Sequence, residues 1–545
     1  MTADHNTNPD VDVVVIGAGF SGLYAVHRLH NVEGLNVLAF EASDTVGGTW
    51  NYNRYPGARC DTEGYYYCYS FDRELLQEWE WTGKYPEQAE LLAYLEHVAS
   101  RYDLRRHIRF NTRVAAARYD APTSRWIITT DAGQTVTARY FVTGVGHLSI
   151  ARYIPEIEGM ADYAGEWQHS SRWPREGIDL TGKRVGVIGT GSSGVQMIPV
   201  LAKQAEHVTV FQRTPQYSIP ARHETATPAF FAEVKRHYDE IWAACRQSAG
   251  GFPWQHNGMS ALEVSEAERL ATYERLWQEG GIKFAFGSYK DLSINIAANQ
   301  TVSDFIRAKI SQVVDDPETL ASLLPTDHPF MSRRTIVDTE YFETYNRDNV
   351  ALVDLRKTPV VRMTKRGIET TAGEVGLDLI VFATGFDAVT GPFFNIDIEG
   401  RDGLKLTQAW AGGPQAYLGL QTVGFPNMFM ITGPTSATGN LPLNAELHVD
   451  WIADCIAQLD EAGAESIEPS DQAQQEWMRE VARMSERSMI SRADSWFNGA
   501  NIPGKAHGHL FYLGHFGRYR TTVTDTARDG YRGFVLSPRR EQPTA

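Results

Sequence analysis

Two segments of this 545-residue chain share one sequence pattern and one spacing. In the first, the apolar run Val11–Ile16 leads into GAGFSG at Gly17, and a later apolar run ends at Glu41. The second segment repeats this order from GTGSSG at Gly189 to Arg213, and in both copies 24 residues separate the first glycine from the final polar residue. Strand, glycine turn, helix and strand is the order of a dinucleotide-binding βαβ unit. The sequence therefore predicts two such units.

The polar residue that ends each unit indicates which nucleotide binds there. A carboxylate such as Glu41 can accept both ribose hydroxyl protons of an adenosine, which suits FAD or NAD. Arg213 instead matches the extra 2′-phosphate of NADP, and Thr214 adds a hydroxyl donor. The alternative is that Arg213 is a solvated surface charge. From the two units the expected FAD contacts are Gly17, Gly19, Phe20, Ser21, Gly22 and Glu41, and the expected NADP contacts are Gly189, Thr190, Gly191, Ser192, Ser193, Gly194, Gln196, Arg213 and Thr214.

Length and composition narrow the class of protein. The chain is too long for one core of ordinary size, which predicts more than one domain. Its formal net charge of -16 disfavours nucleic acid and anionic membranes as partners. The first ten residues are polar, unlike a signal peptide, and the chain has no apolar run of about 18 residues. Because the four cysteines form no CxxC pair, neither a disulfide framework nor a dithiol centre is expected. We expect a cytoplasmic protein with no membrane partner, and a monomer is compatible with the sequence.

The remaining segments predict a helical block and a return to strands. FFAEVKRHYDEIW (230–242) is typical of one amphipathic helix, Ser265 and Glu268 form a capping box before another, and Asp316 caps a short third one. Strand-like runs return at 377–383 and 428–432, and a helix follows at 444–459. The expected fold is α/β, with two Rossmann-like dinucleotide-binding domains and an α-helical insertion. The expected domains are FAD-binding 1–150 and 386–545, NADP-binding 151–221 and 326–385, and a helical subdomain 222–325 inserted in the NADP domain.

Two further motifs resemble a known family. The loop GGTWNYNRYPGARCD (47–61) is rich in glycine and aromatic residues, which suits packing against a flat ring. It matches every fixed position of Gly-Gly-x-Trp, four residues, Tyr-Pro-Gly, three residues, Asp. YAGEWQHSSRWP (163–174) fits Phe-x-Gly-x-x-x-His-x-x-x-Trp-Pro, with Tyr163 in place of the opening Phe. Together with FQRTP (211–215), ATGFD (383–387) and GANIPGK (499–505), these motifs make the chain resemble the type I Baeyer-Villiger monooxygenases almost end to end.

The resemblance implies a reaction that uses FAD, NADPH and O2. NADPH reduces the flavin, O2 adds at its C4a atom, and the resulting peroxide attacks a ketone carbonyl to give a tetrahedral adduct that rearranges to an ester or lactone. An anionic peroxide and adduct require a fixed positive charge in a dry pocket, for which arginine is better suited than lysine. The implied substrate is a hydrophobic ketone, cyclic or aryl-substituted, with sulfide oxidation as a side activity.

The resemblance also assigns roles to individual residues. It makes Arg334 the catalytic cation, which precedes a Tyr-rich segment (340–350) expected to be a strand, and makes Asp61 its electrostatic partner. Arg333 would face the NADP 2′-phosphate, because adjacent side chains of an extended segment point in opposite directions. The alternatives are a solvated arginine pair and an aspartate that caps a turn.

Several further assignments follow from the same resemblance. Trp496 would reach the nicotinamide ribose and the substrate, although a tryptophan is more often part of a core. His169 is interpreted as a hinge histidine rather than a general base. No metal site is expected. The other implied contacts are Gly48, Thr49, Trp50, Tyr52, Asp61 and Tyr67 for FAD, Arg59 and Arg333 for NADP, and His147, Leu148, Asn440, Leu441, Leu443 and Trp496 for the substrate pocket.

Three alternatives remain beside this interpretation. A flavin N- or S-monooxygenase has the same fold, but its electrophilic chemistry gains nothing from a cation that stabilises an anion. A flavin disulfide reductase requires a paired thiol, and Cys60 and Cys68 do not have that spacing. A non-catalytic sensor of the NADPH/NADP+ ratio would show no ketone-dependent consumption of NADPH.

Overall fold

The computed structural model describes residues 9–148, 150–223 and 227–539. The first eight residues, which contribute to the expectation that no signal peptide is present, lie outside this range, as do residues 224–226 of the expected helical block. Within the described ranges, no helix combines the length and apolarity needed to cross a membrane.

The strands occur in groups that are separated by helices. They are β1 (Val11–Ile16), β2 (Val37–Phe40), β3 (Ile108–Arg109), β4 (Val114–Asp120), β5 (Arg125–Thr130), β6 (Thr135–Thr143), β7 (Glu166–His169), β8 (Arg184–Ile188), β9 (His207–Gln212), β10 (Ser218–Pro220), β11 (Ile336–Asp338), β12 (Val350–Asp354), β13 (Val360–Met363), β14 (Gly367–Thr370), β15 (Gly373–Gly376), β16 (Leu379–Phe382), β17 (Asp397–Glu399), β18 (Met428–Met430), β19 (Ala464–Pro469) and β20 (Phe534–Pro538).

The α-helices are concentrated after the glycine loops, in the middle of the chain and near its end. They are α1 (Phe20–Val26), α2 (Thr49–Tyr52), α3 (Arg73–Glu78), α4 (Gln88–Arg101), α5 (Ser192–Gln204), α6 (Pro228–Arg236), α7 (Tyr238–Gln247), α8 (Glu266–Glu279), α9 (Lys283–Phe286), α10 (Ile296–Ser311), α11 (Pro317–Leu323), α12 (Gly391–Phe394), α13 (Leu406–Ala409), α14 (Leu441–Glu461), α15 (Asp471–Arg487) and α16 (Phe516–Arg528).

The first sheet contains eight strands in the order β17-β4-β5-β6-β1-β2-β3, with β18 paired to β6. Its centre is parallel, because β1 lies between β2 and β6 and pairs with both in the same direction. Val13, Val14 and Val15 of β1 are fully buried, as expected for a parallel strand that is covered on both faces. The predicted strand Val11–Ile16 is confirmed, and the later strand β18 belongs to this same sheet.

The second sheet contains five parallel strands in the order β12-β9-β8-β16-β7. The predicted strand Arg184–Ile188 is confirmed as its central strand, β8. Since β16 returns to this sheet after the helical block, strands from both sides of that block build one sheet. Two connections join the sheets: residues 144–165 run from β6 to β7, and residues 383–396 run from β16 to β17.

The helical block consists of α6 to α11, and one predicted helix in it is divided. The expected helix over 230–242 breaks at His237, whose φ of -112° and ψ of 18° end α6 before α7 begins. The Ser265 hydroxyl accepts the Glu268 N–H at 3.3 Å at the start of α8, and Asp316 accepts the Thr319 N–H at 2.7 Å at the start of α11. Both predicted helix starts are therefore confirmed.

Two other elements differ from the prediction. The expected Tyr-rich strand over 340–350 is wrong: Glu343–Asn346 is a short helical turn, and the strand β12 begins only at Val350. Tyr341 and Tyr345 are four residues apart, and helical spacing brings their hydroxyls within 2.8 Å of each other. Helix α14 begins at Leu441 rather than at 444, because Asn440 caps it.

Candidate functional site

A cavity of about 1440 Å³ lies at the carboxyl ends of the central strands of both sheets. This is where open α/β sheets bind their ligands, because the loops that leave the strands converge there. The wall contains both glycine loops, the segment 47–61, the arginine pair at 333–334 and Trp496. The chain therefore brings together, around one space, motifs that are several hundred residues apart in sequence.

The first glycine loop fits a pyrophosphate. Gly17 has a φ of +98°, and a Cβ atom there would lie 2.5 Å from the Gly144 carbonyl oxygen, so the turn requires glycine. Gly19 and Gly48 also approach closely, since a Cβ on Gly48 would lie 3.0 Å from the Gly19 Cα. Among the described residues no side chain caps α1 at Gly19, which leaves its first-turn N–H groups available to an anion.

Glu41 lies at the end of β2 and lines the same part of the cavity. Its Oε2 accepts the Ala18 N–H at 2.9 Å, and its Oε1 accepts the Ser43 N–H at 2.8 Å. The carboxylate is thus fixed beside the glycine loop, where an adenosine ribose would follow the pyrophosphate. Thr49, Trp50, Tyr52 and Tyr67 line the adjoining wall.

The second glycine loop has the same construction. Gly189 has a φ of +108°, and a Cβ there would lie 2.6 Å from the Ala383 carbonyl oxygen. A Cβ on Gly191 would meet no heavy atom of the described residues within 4 Å, so the backbone is open toward the cavity. The Thr190 hydroxyl donates to the Thr214 carbonyl at 3.0 Å and ties this loop to the end of β9. Arg213 follows β9 on the same wall.

The third glycine of each loop does not line the cavity, although it was expected to contact a nucleotide. Gly22 and Gly194 lie behind the cavity wall, so their expected contact with the nucleotides gains no support from the structure and stays a prediction. A Cβ on Gly22 would lie 1.8 Å from the Gly17 oxygen, and one on Gly194 would lie 2.2 Å from the Gly189 oxygen. These two glycines allow each helix to pack against the loop that precedes it.

Arg334 and Asp61 form an ion pair on the cavity wall between the two loops. The Arg334 Nη2 atom lies 3.1 Å from Asp61 Oδ2, and the Gln196 amide donates to Asp61 Oδ1 at 2.8 Å. Gln196 is held in turn by Tyr55, whose hydroxyl donates to Gln196 Oε1 at 2.8 Å. Asp61 is only 4% exposed. The pair thus connects the segment 47–61, helix α5 and the segment before β11.

The electrostatics of this pair keep a cation in the cavity. Burial raises the pKa of Asp61, while the charge of Arg334 and the Gln196 hydrogen bond oppose that rise. Burial lowers the pKa of Arg334, but the charge and hydrogen bond of Asp61, with smaller contributions from Cys60 and Tyr67, together outweigh burial, so that the net pKa is raised. Arg334 lies deep in the molecule, yet 40% of its side chain is accessible because it faces the cavity. Arg334 is therefore charged at any ordinary pH.

Arg333 lines the same cavity as Arg334 but has other charged neighbours. Burial lowers the pKa of Arg333; Asp327 opposes this and the positive charge of Arg213 adds to it. Arg213 and Arg333 thus lie close enough to repel each other, whereas Arg334 contacts Asp61. Two cations on one cavity wall form a suitable site for a doubly charged phosphate. Arg59 lines the cavity nearby and pairs with Glu87 at 3.0 Å.

The expected substrate pocket is brought together only in part. His147, Leu148, Leu441 and Trp496 line the cavity, and Trp496 stacks on Phe497 with ring centroids 4.3 Å apart. Asn440 and Leu443 lie behind the wall, which corrects their assignment to the pocket. The Asn440 amide instead donates to the Tyr66 and Gly251 carbonyls at 2.7 and 3.0 Å, and Leu443 belongs to the hydrophobic core.

His169 is buried behind the cavity wall at the end of β7. Its Nδ1 lies 2.9 Å from the Ser171 hydroxyl, and its Nε2 lies 3.1 Å from the Gly385 carbonyl oxygen. Burial lowers the pKa of His169 to about 4, so the ring is neutral. His169 therefore has the contacts of a structural histidine that joins β7 to the connection following β16.

Sequence reasoning missed part of the cavity wall. Phe252, Phe286 and Tyr289 of the helical block, and Met489 near the end of the chain, also line the cavity. Their sequence signal was that of ordinary apolar core residues. The role of Tyr55 was missed as well. The motif fixes a tyrosine at this position, but the sequence does not show that its partner is Gln196. Among the described residues, no group of three or more His, Cys, Asp or Glu side chains could hold a metal ion.

The known proteins that are similar to this chain are monooxygenases. Residues 10–238 match the family model described as flavin-binding monooxygenase-like. The chain is 44% identical to a Baeyer-Villiger monooxygenase of Pseudooceanicola batsensis, over 96% of each chain. It is 42% identical to the phenazine N-monooxygenase PhzNO1 of Lysobacter antibioticus, over 97% of this chain and 98% of that one. The crystal structure of cyclohexanone monooxygenase from Rhodococcus sp. Phi1 bound to NADP+ superimposes with a TM-score of 0.95 at 44% identity, over 97% of this chain and 99% of that chain.

Proposed function

The chain belongs to the Baeyer-Villiger monooxygenases of the flavin-binding monooxygenase-like family, and from this premise we propose that it inserts one oxygen atom of O2 beside the carbonyl group of a ketone, giving an ester or a lactone. It is an oxidoreductase that uses FAD and NADPH. The observation that supports the reaction best is the Arg334–Asp61 ion pair on the wall of the cavity that both glycine loops share.

The two glycine loops divide the cofactors between them. The loop at Gly17 and the start of α1 hold the pyrophosphate of FAD, and Glu41 accepts the ribose hydroxyls. The loop at Gly189 and the start of α5 hold NADPH in the same way. Arg213 and Arg333 bind its 2′-phosphate, and Thr214 adds a hydroxyl. Bound FAD supplies the ring that accepts a hydride from NADPH and reacts with O2.

Arg334 stabilises the negative charge that develops on the ketone oxygen during the reaction. A fixed cation in a pocket without bulk water costs no reorganisation when that charge appears. Asp61 compensates for the burial of Arg334 and holds its guanidinium in place through the 3.1 Å contact. Gln196 and Tyr55 hold Asp61. The carboxylate therefore acts on the arginine, and the arginine acts on the substrate.

The substrate is a hydrophobic ketone, cyclic or aryl-substituted. Leu148, Leu441 and Trp496 provide an apolar wall, which Phe286 and Met489 extend from the helical block and the end of the chain. Such a wall selects by shape and desolvation rather than by hydrogen bonds. Sulfide oxidation is a side activity of the same pocket.

The domains follow the two sheets. The FAD-binding domain comprises 1–150 and 386–545, and the NADP-binding domain comprises 151–221 and 326–385, with the helical subdomain 222–325 inserted in it. Strands of the first sheet fall within 11–143 and 397–430, and strands of the second within 166–212 and 350–382, which supports this division. A cytoplasmic location, where NADPH is supplied, completes the proposal.

N-oxygenation of an aromatic heterocycle is the second candidate. The similarity to a phenazine N-monooxygenase is nearly as high as that to a Baeyer-Villiger monooxygenase, at 42% against 44% identity. The Arg334–Asp61 pair favours the ketone reaction, because an attack on nitrogen lone pairs requires an electrophilic oxygen.

Product analysis separates the two candidates. The purified FAD-loaded protein is given NADPH, isotopically labelled O2 and, in separate reactions, cyclic ketones, aryl ketones and phenazine. We expect an ester or lactone that carries one labelled oxygen atom. If phenazine stimulates NADPH consumption and gives a labelled N-oxide while every ketone is returned unchanged, the second candidate replaces the first. NADPH consumption that no substrate stimulates contradicts both.

A further inference from the structure

Two motifs that the proposed chemistry does not use meet in the structure. ATGFD (383–387) follows β16, and GANIPGK (499–505) lies near the end of the chain. The Lys505 Nζ atom contacts Asp387 Oδ1 and donates to the Ala388 carbonyl at 3.0 Å. The Asn501 amide donates to the Phe386 carbonyl at 2.8 Å. Only 10% of the Lys505 side chain is exposed, so this is a largely buried ion pair.

The first motif contacts both connections between the sheets. It begins the connection 383–396, and its Gly385 carbonyl accepts the Tyr153 N–H at 2.9 Å from the other connection. The Asp387 N–H donates to the Ala151 carbonyl at 2.7 Å. His169 Nε2 approaches the same Gly385 oxygen at 3.1 Å. The position of Asp387 therefore depends on how the two sheets are arranged.

The second motif belongs to the loop that carries Trp496. Asn498 holds this loop together, because its Oδ1 accepts the Ser495 N–H at 3.1 Å and its Nδ2 donates to the Ala493 carbonyl at 3.0 Å. Trp496 packs with Phe511 against the cluster that contains Phe386. The loop 493–508 is thus one locally bonded unit, with Trp496 facing the cavity at one end and Lys505 bound to the connection at the other.

We propose that Lys505 is a positioning residue that acts through this loop. Its ion pair with Asp387 fastens the loop 493–508 to the connection between the sheets, so that Trp496 stays at the cavity wall while NADP is bound. The proposal rests on the assignment of Trp496 to the nicotinamide end of the cofactor. Loss of Lys505 leaves the Asp387 carboxylate partly buried without its cation, which favours an open arrangement that hydrates the carboxylate. Loop opening then exposes Trp496 and Phe497 and weakens the hold on NADP.

The test uses the FAD-loaded enzyme and a protease that cleaves after aromatic residues. We expect Lys505→Met to raise the rate of chymotrypsin cleavage after Trp496 or Phe497 about tenfold. The dissociation constant of NADP+, measured by titration of the flavin absorbance, should rise about fivefold. The KM for NADPH should rise more than kcat falls, and Lys505→Arg should restore all three quantities.

Lys405→Met is the matched control. Lys405 also forms an ion pair just after the connection 383–396, because its Nζ lies 2.8 Å from Asp397 Oδ2 and from Glu399 Oε2. Unlike the loop 493–508, Lys405 does not line the cavity. This variant should keep the wild-type cleavage rate and NADP+ affinity. Wild-type values in Lys505→Met, or equal changes in both variants, overturn the proposal.

Asp387→Asn covers the case in which Lys505→Met fails to fold or to load FAD, because it should raise the cleavage rate and the NADP+ dissociation constant in the same direction, and a wild-type cleavage rate in it overturns the proposal. Where both single variants fold, a double-mutant cycle tests the pair directly. Asp387→Asn removes the same ion pair from the other side, and the double variant contains neither charge. If the pair fastens the loop, the double variant should be cleaved no faster than the worse single variant, whereas additive effects contradict the proposal. Because cleavage is measured without turnover, failure here is distinct from failure of the proposed reaction, which the ester product reports.

Discussion

At the scale of single residues, the Arg334–Asp61 pair shows how a cation can be kept in a buried pocket. An isolated guanidinium would pay a large desolvation penalty there, and a carboxylate partner with its own hydrogen bonds offsets it. Asp61 has such bonds, from Gln196 at 2.8 Å and from Arg334 at 3.1 Å. The partner thus permits the charge, and the accessible part of Arg334 is free to act on a ligand.

Replacement of Arg334 by alanine tests that role. We expect Arg334→Ala to retain FAD and to consume NADPH, while ester formation falls by a factor of about 100 to 1,000, because the fixed charge beside the ketone oxygen is lost. Flavin absorbance reports the cofactor, and gas chromatography reports the ester. Arg334→Lys, which keeps a charge but loses the planar fork of donors, should lie between the alanine variant and the wild type. A normal ester yield from Arg334→Ala contradicts the assignment.

Arg213 has a different and separable expected effect. In Arg213→Ala, kcat/KM for NADPH should fall roughly 10- to 100-fold, because charged hydrogen bonds to the 2′-phosphate are lost. NADH has no such phosphate, so kcat/KM for NADH should change little. Steady-state kinetics with both nucleotides measures the ratio. Equal losses with NADPH and NADH would mean that Arg213 supports the fold of the loop rather than the phosphate.

At the scale of elements, local patterns were predicted well and tertiary contacts were not. The strands β1 and β8 were found at their observed ends, because each is a buried apolar run that a glycine turn terminates. The start of α14 was missed because Asn440 combines a cap with two donations to Tyr66 and Gly251, which are distant in sequence. The helical turn at 343–346 was missed because aromatic residues favour strands until neighbouring contacts decide otherwise.

Helix α14 also contains a buried acid that makes stability depend on pH. Glu446 Oε1 accepts the Ser70 N–H at 2.6 Å, and its other oxygen accepts from the Ser70 hydroxyl. Burial raises the pKa of Glu446 from 4.5 to about 7, although the Ser70 bonds oppose the rise. The folded protein therefore binds a proton more tightly than the unfolded chain does. This contribution to stability is complete below pH 4.5 and is lost as the pH rises toward 7.

The variant Glu446→Gln removes this dependence. The melting temperature of the variant minus that of the wild type should increase as the pH rises from about 5 to about 7 and then stay level. Differential scanning fluorimetry of the FAD-loaded proteins gives this difference, in which the other titrating groups cancel. Glu461→Gln, at the exposed end of the same helix, is the control and should give a flat difference. A flat difference for Glu446→Gln would show that the acid titrates normally.

At the scale of the whole molecule, the cavity depends on both sheets and the helical block together. The two glycine loops could be predicted from their own local pattern, whereas the resemblance to a family supplied the arginine pair and the signature loop. The sequence could not predict that Phe252, Phe286 and Met489 complete the wall, since apolar side chains look alike in sequence whether they face a core or a cavity. The sequence also assigned nucleotide contact to all the glycines of each motif. In the structure, the third glycine of each motif allows the helix to pack against the loop that precedes it.

Because one glycine of the second loop faces the cavity and another packs against the loop, alanine substitutions at the two positions should have different effects. One should impair NADP+ binding, and the other should lower the stability of the fold. Gly191→Ala should fold and load FAD normally, because an added Cβ meets no heavy atom of the described residues within 4 Å and its φ of -77° suits alanine. The same methyl group occupies the space through which the pyrophosphate approaches, so the rise in melting temperature that saturating NADP+ gives the wild type should be lost. Gly194→Ala should instead lower the melting temperature without any ligand, because its Cβ would lie 2.2 Å from the Gly189 oxygen. A full NADP+ shift in Gly191→Ala would mean that the phosphates bind away from this loop, and the two-site arrangement of the molecule would need revision.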